Sequence, residues 1–160
     1  MMDAKQLYNE DFVLWSKQQA DALRAAAHDE SNRELDWGHL AEEIEDLGIS
    51  QRSALRSQLR RIIRHLAKLE HSPASGPRQG WIETIGDARA EIDDLLETSP
   101  SLEAELSADI AKQTPRAIKL ALQDVQGYEE IDTTRLHHLR AATYTEEQVL
   151  GDWFPEEPPR

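Results

Sequence analysis

Apolar residues recur along this chain at intervals of three and four, and nowhere with the strict alternation of a half-buried strand. Over residues 7–27, Leu7, Phe12, Trp15, Ala22, Leu23 and Ala26 gather near one side of a helix, which Asp3 or Asn9 can cap. The polar stretch 28–34 interrupts the pattern. It resumes over 36–47, where Asp36 is a good N-cap and Trp37, Leu40, Ala41, Ile44 and Leu47 keep helical spacing. Gly48 stands where a left-handed C-cap is wanted, so a new helix is expected over 50–71, with Leu55, Leu59, Ile62, Ile63, Leu66 and Leu69 as its core stripe. The run SPASGPRQG at 72–80 is a loop by its prolines and glycines. A helix over 81–98 follows, built on Trp81, Ile85, Ala88, Ile92 and Leu95. Ser99–Pro100 is a start signal, hydroxyl cap then proline, for a helical stretch 100–126 that is either kinked near Pro115 or two stacked helices. Residues 128–144 read as irregular. Thr145 to Gln148 match a capping box that opens a short helix over 145–151, and Trp153, Phe154 and Pro155 are expected to tuck the tail onto the body. The pattern predicts an all-α, bundle-like single domain over 1–160, with five to six helices and an irregular C-terminal arm.

Composition narrows the function classes. A chain of 160 residues can bury a real core as one domain. It has no cysteine, which excludes disulfides, thiolate metal sites and cysteine nucleophiles. No apolar run is long enough to cross a bilayer, and the polar start MMDAKQLYNED is unlike a secretory signal, so the expected location is the cytoplasm. The net charge of −13 argues against nonspecific nucleic-acid binding and against anionic membrane surfaces. That charge is unevenly spread. Segment 36–47 carries Asp36, Glu42, Glu43, Glu45 and Asp46, while segment 50–71 carries six cations and only Glu70 as an acid. Two neighbouring helices of contrary sign are expected to dock on each other.

Candidate chemistry is sparse. Arg52, Arg56, Arg60, Arg64 and Lys68 recur every fourth residue, a stripe that wraps beside the apolar face. Guanidinium forks suit phosphate and carboxylate groups, so Arg56, Arg60 and Arg64, with His65 at the margin of the apolar stripe, are the candidate anion or partner site. Glu42 and Glu45, and Glu91 and Asp94, are carboxylate pairs three residues apart; facing each other they have the chemistry to hold Mg²⁺. No Glu-x-x-His pair, Gly-x-Ser-x-Gly elbow or phosphate-cradling glycine loop occurs. The four tryptophans are scattered over four elements, as core anchors are.

The residues therefore point to a non-catalytic binding or protein-interaction module with no cofactor and no assigned catalytic residue. Its expected partner is another protein or a second copy, including the case of an acidic protein that masks a basic one. The alternative is a Mg²⁺-dependent all-α phosphohydrolase of the nucleotide pyrophosphatase kind, with Glu42, Glu45, Glu91 and Asp94 on the metal and Arg60 or Arg64 on phosphate.

The segments LYNEDFVLWSKQQADALR, LDWGHLAEEIEDLGISQRSALRSQLRRIIRHLAKLE, WIETIGDARAEIDDLLETSPSL and YTEEQVLGDWFP together resemble a family of small proteins of cyanobacteria and proteobacteria, domain-of-unknown-function family twenty-nine. The resemblance spans about residues 5–155, with Glu42 to Gly48 and Ser99 to Leu102 as its most specific parts. It implies an all-helical domain and no particular activity, cofactor or ligand.

Overall fold

Asp11 divides the first expected helix in two. Its backbone is extended (φ −154°, ψ 94°), which ends α1 (Ala4–Glu10) and begins α2 (Phe12–Ala26). One carboxylate oxygen accepts from the Leu14 amide at 2.8 Å and from the Ser101 hydroxyl at 2.9 Å; the other accepts from the Ser101 amide at 2.7 Å. Asp3 caps α1 by accepting from the Gln6 amide. A single carboxylate thus caps α2 and holds the segment at Ser101.

The structure, a computed structural model, describes residues 3–29, 35–127 and 131–158. The chain divides into two compact units, 1–55 with 94–104 and 56–93 with 105–160. Two long helices contribute to both: α3 (Trp37–His71) and α4 (Arg78–Thr98). A 3₁₀ helix over Pro100–Glu105, then α5 (Leu106–Val125), α6 (Thr133–Arg140) and α7 (Glu146–Leu150) follow. Among the described residues there is no strand, so the fold is all-α as expected. Among the described residues no helix is long and apolar enough to cross a membrane.

In the first unit Leu7, Val13, Ala20, Ala41, Leu55 and Leu102 are buried. Gly48 lies inside α3, not at its end. It is buried, and a Cβ there would collide with the Ser16 hydroxyl of α2, with the Val13 carbonyl 3.7 Å away. The glycine therefore serves the close approach of α2, and its small helix penalty is accepted for that contact. This overturns the expected turn between 36–47 and 50–71. The acidic and basic segments are successive stretches of one 35-residue helix and do not pack on each other. Ser99 also differs from expectation: its hydroxyl accepts from the Val13 amide at 3.3 Å and does not cap the segment after it, although Pro100 does open the next helical turn.

In the second unit the core comes from Leu59, Ile62, Ile63, Leu66 and Leu69 of α3, Trp81, Ile85, Ala88 and Ile92 of α4, and Ile110, Ala117, Ile118, Ala121 and Val125 of α5. Helix α5 runs unbroken through Pro115. Pro115 and Ala111, whose carbonyl loses its usual donor, are both exposed, so the loss falls where solvent can serve. Residues 133–140, expected to be irregular, are helical, with the Asp132 side chain accepting from the Arg135 amide. Only Leu139 of this helix is buried, which left little apolar periodicity to read. The capping box at Thr145 forms as expected. Arg89 of α4 then fastens the tail: its guanidinium donates to the carbonyls of Val149, Gln148 and Trp153 and lies 4.8 Å from the Phe154 ring centre.

Candidate functional site: a basic cleft beside α3

The second part of α3 sets Arg56, Arg60, Arg64 and Lys68 four residues apart, and α5 answers most of them. Arg56 Nε donates to Asp109 Oδ1 at 2.9 Å, and its guanidinium lies 3.9 Å from Glu105. The Asp109 carboxylate is buried, and its second oxygen has no hydrogen-bond partner among the described residues. Arg60 Nη1 donates to Gln113 Oε1 at 2.9 Å. Arg64 grips Asp124 with two bonds of 2.7 and 2.6 Å, and Lys68 Nζ shares that carboxylate at 3.0 Å while lying 4.8 Å from the Trp81 ring centre. Partner numbers rise together along both helices, so α3 and α5 run parallel here and α4 is the return between them.

Electrostatics follow from these contacts. Burial alone would raise the Asp124 carboxyl, but the bonds from Arg64 and Lys68 outweigh it and hold the group below the usual carboxylate range. Burial pushes the Lys68 ammonium down, against the pull of Asp124. Burial also pushes the His65 imidazole down to about 4, and the charges of Lys68 and Arg64 add to the effect. His65 is therefore neutral near pH 7. Its Nδ1 is buried without a hydrogen-bond partner among the described residues.

Beside this ladder is an open cleft of about 670 Å³, lined by Ser57, Gln58, Arg60, Arg61, Arg64, His65, Thr84 and Leu120. Its cations differ in what they face. Arg64 is matched by Asp124. Among the described residues Arg60 meets only the neutral Gln113 amide. Arg61 is exposed and makes no ion pair or hydrogen bond among the described residues. A second cleft of about 430 Å³, beside Thr114, Pro115 and Tyr144, has no lysine or arginine in its wall. Two guanidiniums without carboxylates among the described residues, a neutral imidazole and hydroxyl and amide side chains have the chemistry that suits an anion.

Of the residues singled out from sequence, Arg60, Arg64 and His65 line the cleft together, whereas Arg56 turns to Asp109 and Glu105. The four carboxylates of the magnesium alternative have other surroundings. Glu45 pairs with Arg24, Glu91 accepts from the Gln58 side chain, and Glu42 and Asp94 are exposed. No group of three or more His, Asp or Glu side chains among the described residues is placed to hold a metal ion. Arg61 was missed because it falls off the four-residue stripe, about 100° further round the helix than Arg60. The doublet Arg60-Arg61 was the available signal.

The fold and its cleft define an all-α helical protein with a cationic recess. The chain belongs to the family described as "Domain of unknown function DUF29", whose family model matches residues 7–154. Among solved structures it is similar to an alpha-helical protein of unknown function from Rhodospirillum rubrum, at 24% identity and a TM-score of 0.61, over 92% of this chain and 98% of that one. That likeness shows the fold. No curated protein matches the chain.

Proposed function

We propose that this protein is a non-catalytic binding module and that it takes a small anionic ligand in the cleft beside α3, through Arg60, Arg61 and Arg64. The supporting observation is the pairing imbalance. The chain carries 31 acids against 18 lysines and arginines, yet Arg60 and Arg61 face the recess with no carboxylate opposite among the described residues. With acids in such excess, two uncompensated guanidiniums at one recess are unexpected in a purely structural surface and expected where an external anion completes the pairing. The recess, about 670 Å³, falls within the range of small-molecule sites, about 300–1,000 Å³, and its polar wall fits a charged ligand.

The test is isothermal titration calorimetry of the full chain with inorganic pyrophosphate at low ionic strength, where exposed charges are least screened. One saturable site is expected. It should be lost in the Arg60→Ser/Arg61→Ser variant and kept in Arg116→Ser/Lys119→Ser, which removes two exposed cations of α5 outside this cleft. A ligand that binds only the folded state at about one hundred times its Kd raises stability by about 2.7 kcal/mol, so a melting shift should accompany the heat. Equal binding by the wild type and the Arg60/Arg61 variant would place the anion elsewhere.

A further inference from the structure

The first unit has a feature that the basic cleft does not use. Trp37, Leu40, Ile44 and Leu47 follow one another on α3 at steps of three, four and three, the 3.5-residue rhythm of a coiled-coil seam. Yet Leu40 is 40% and Leu47 48% exposed. Single exposed leucines are ordinary; two in register on one seam are not. The next row of the same helix, Ala41 and Gly48, is buried, with Gly48 against α2. On the other edge of the seam stand Asp36, whose carboxylate already holds His39 Nδ1 at 2.6 Å, and Glu43, seven residues apart and both exposed. The seam is thus closed by α2 along one side and bordered by acids along the other.

Charge decides what fits it. The unit formed by 1–55 and 94–104 carries fifteen Asp and Glu against five Lys and Arg, a net −10 of the chain's −13. A second copy would bring the same excess to the contact and be repelled. We propose that this face docks a basic amphipathic helix of another protein, with that helix's apolar residues seated on Leu40, Ile44 and Leu47 and its lysines or arginines against Asp36 and Glu43. An apolar stripe captured by an apolar seam is a common mode of helix recognition, and the acidic border selects the sign of the partner.

The test uses the full chain and a labelled peptide of about three heptads, with leucine at the seam positions and lysine beside them. A scrambled peptide of the same composition is the control, and the readout is fluorescence anisotropy. The wild type should bind the heptad peptide at least about tenfold more tightly than the scrambled one. Leu40→Ser/Leu47→Ser, both at exposed positions, should stay folded by circular dichroism and lose that preference. Glu43→Lys should weaken the heptad peptide more than the scrambled one, while Gln123→Ala, a charge-neutral change at an exposed position of α5, should leave both unchanged. Equal binding of the two peptides would mean charge attraction alone and would overturn the proposal. So would an unaltered preference in Leu40→Ser/Leu47→Ser. Sedimentation showing a dimer that this double variant converts to monomer would also overturn it, in favour of a second copy on the seam.

Discussion

Gly48→Ala should destabilise this protein although alanine is the better helix former. In an exposed helix the exchange gains about 1 kcal/mol. Here the new Cβ would meet the Ser16 hydroxyl, which is buried and donates to the Val13 carbonyl at 2.9 Å. Relief requires turning that hydroxyl away, which leaves a buried donor unpaired, or moving α2. Either costs about 2–3 kcal/mol, so the net loss should be about 1–2 kcal/mol. The obstacle is one atom. With Ser16→Ala in place, the nearest groups to the new methyl are the residue-16 Cβ at 3.6 Å and the Val13 carbonyl at 3.7 Å, both ordinary contacts. In that background Gly48→Ala should stabilise by about 1 kcal/mol, so the two substitutions should couple by roughly 2–3 kcal/mol. Urea unfolding of the wild type, the two single variants and the double variant, followed by circular dichroism, measures all four corners. If Gly48→Ala alone stabilised the protein, the close approach of α2 would be wrong, and with it the reason given for a glycine inside α3.

Arg56→Ala strands the buried Asp109 carboxylate and should cost about 2–3 kcal/mol in urea unfolding, less than a fully buried pair because Arg56 is partly solvated. Arg61→Ala should cost less than about 0.5 kcal/mol, and Arg56→Met with Asp109→Leu should recover most of the first loss. His65 supplies a pH dependence with a definite sign. Its folded pKa of about 4 lies below the ordinary 6.5, so the unfolded chain takes the proton first as pH falls. Its contribution is full above about pH 6.5 and is lost through the window from 6.5 down to 4, amounting to about 1–2 kcal/mol once partial solvation of the ring is allowed for. Unfolding free energies of the wild type and His65→Gln at pH 7 and 4.5 should therefore converge or cross toward the variant; parallel losses would show that His65 is not the group responsible.

The fold class was legible because each long helix carries an apolar stripe that serves the core. Leu59, Ile62, Ile63 and Leu66 are all buried as their spacing implied. Boundaries were harder to read. Gly48 has the same letter whether it ends a helix or admits a neighbour, and only the position of Ser16 tells the two apart. Asp11 looked like one more polar residue in an amphipathic run, because its partner Ser101 is ninety residues away. Half of the candidate site was visible in the same sense. Spacing placed Arg60 and Arg64 on one side of α3, but it is silent on which cations α5 neutralises. The partners Asp109, Gln113 and Asp124 lie more than fifty residues downstream. Hence Arg56 was grouped with the cleft and Arg61 was not.

On the proposed function, an external anion supplies the charge that Arg60 and Arg61 do not find in a carboxylate among the described residues. The most direct measurement follows the arginine side-chain Nε–H resonances of the full chain by NMR while inorganic pyrophosphate is added. Saturable shifts at Arg60 and Arg61, with little movement at Arg56 and Arg116, are the predicted result. Shifts of equal size at every exposed arginine, or none that saturate at Arg60 and Arg61, would contradict it.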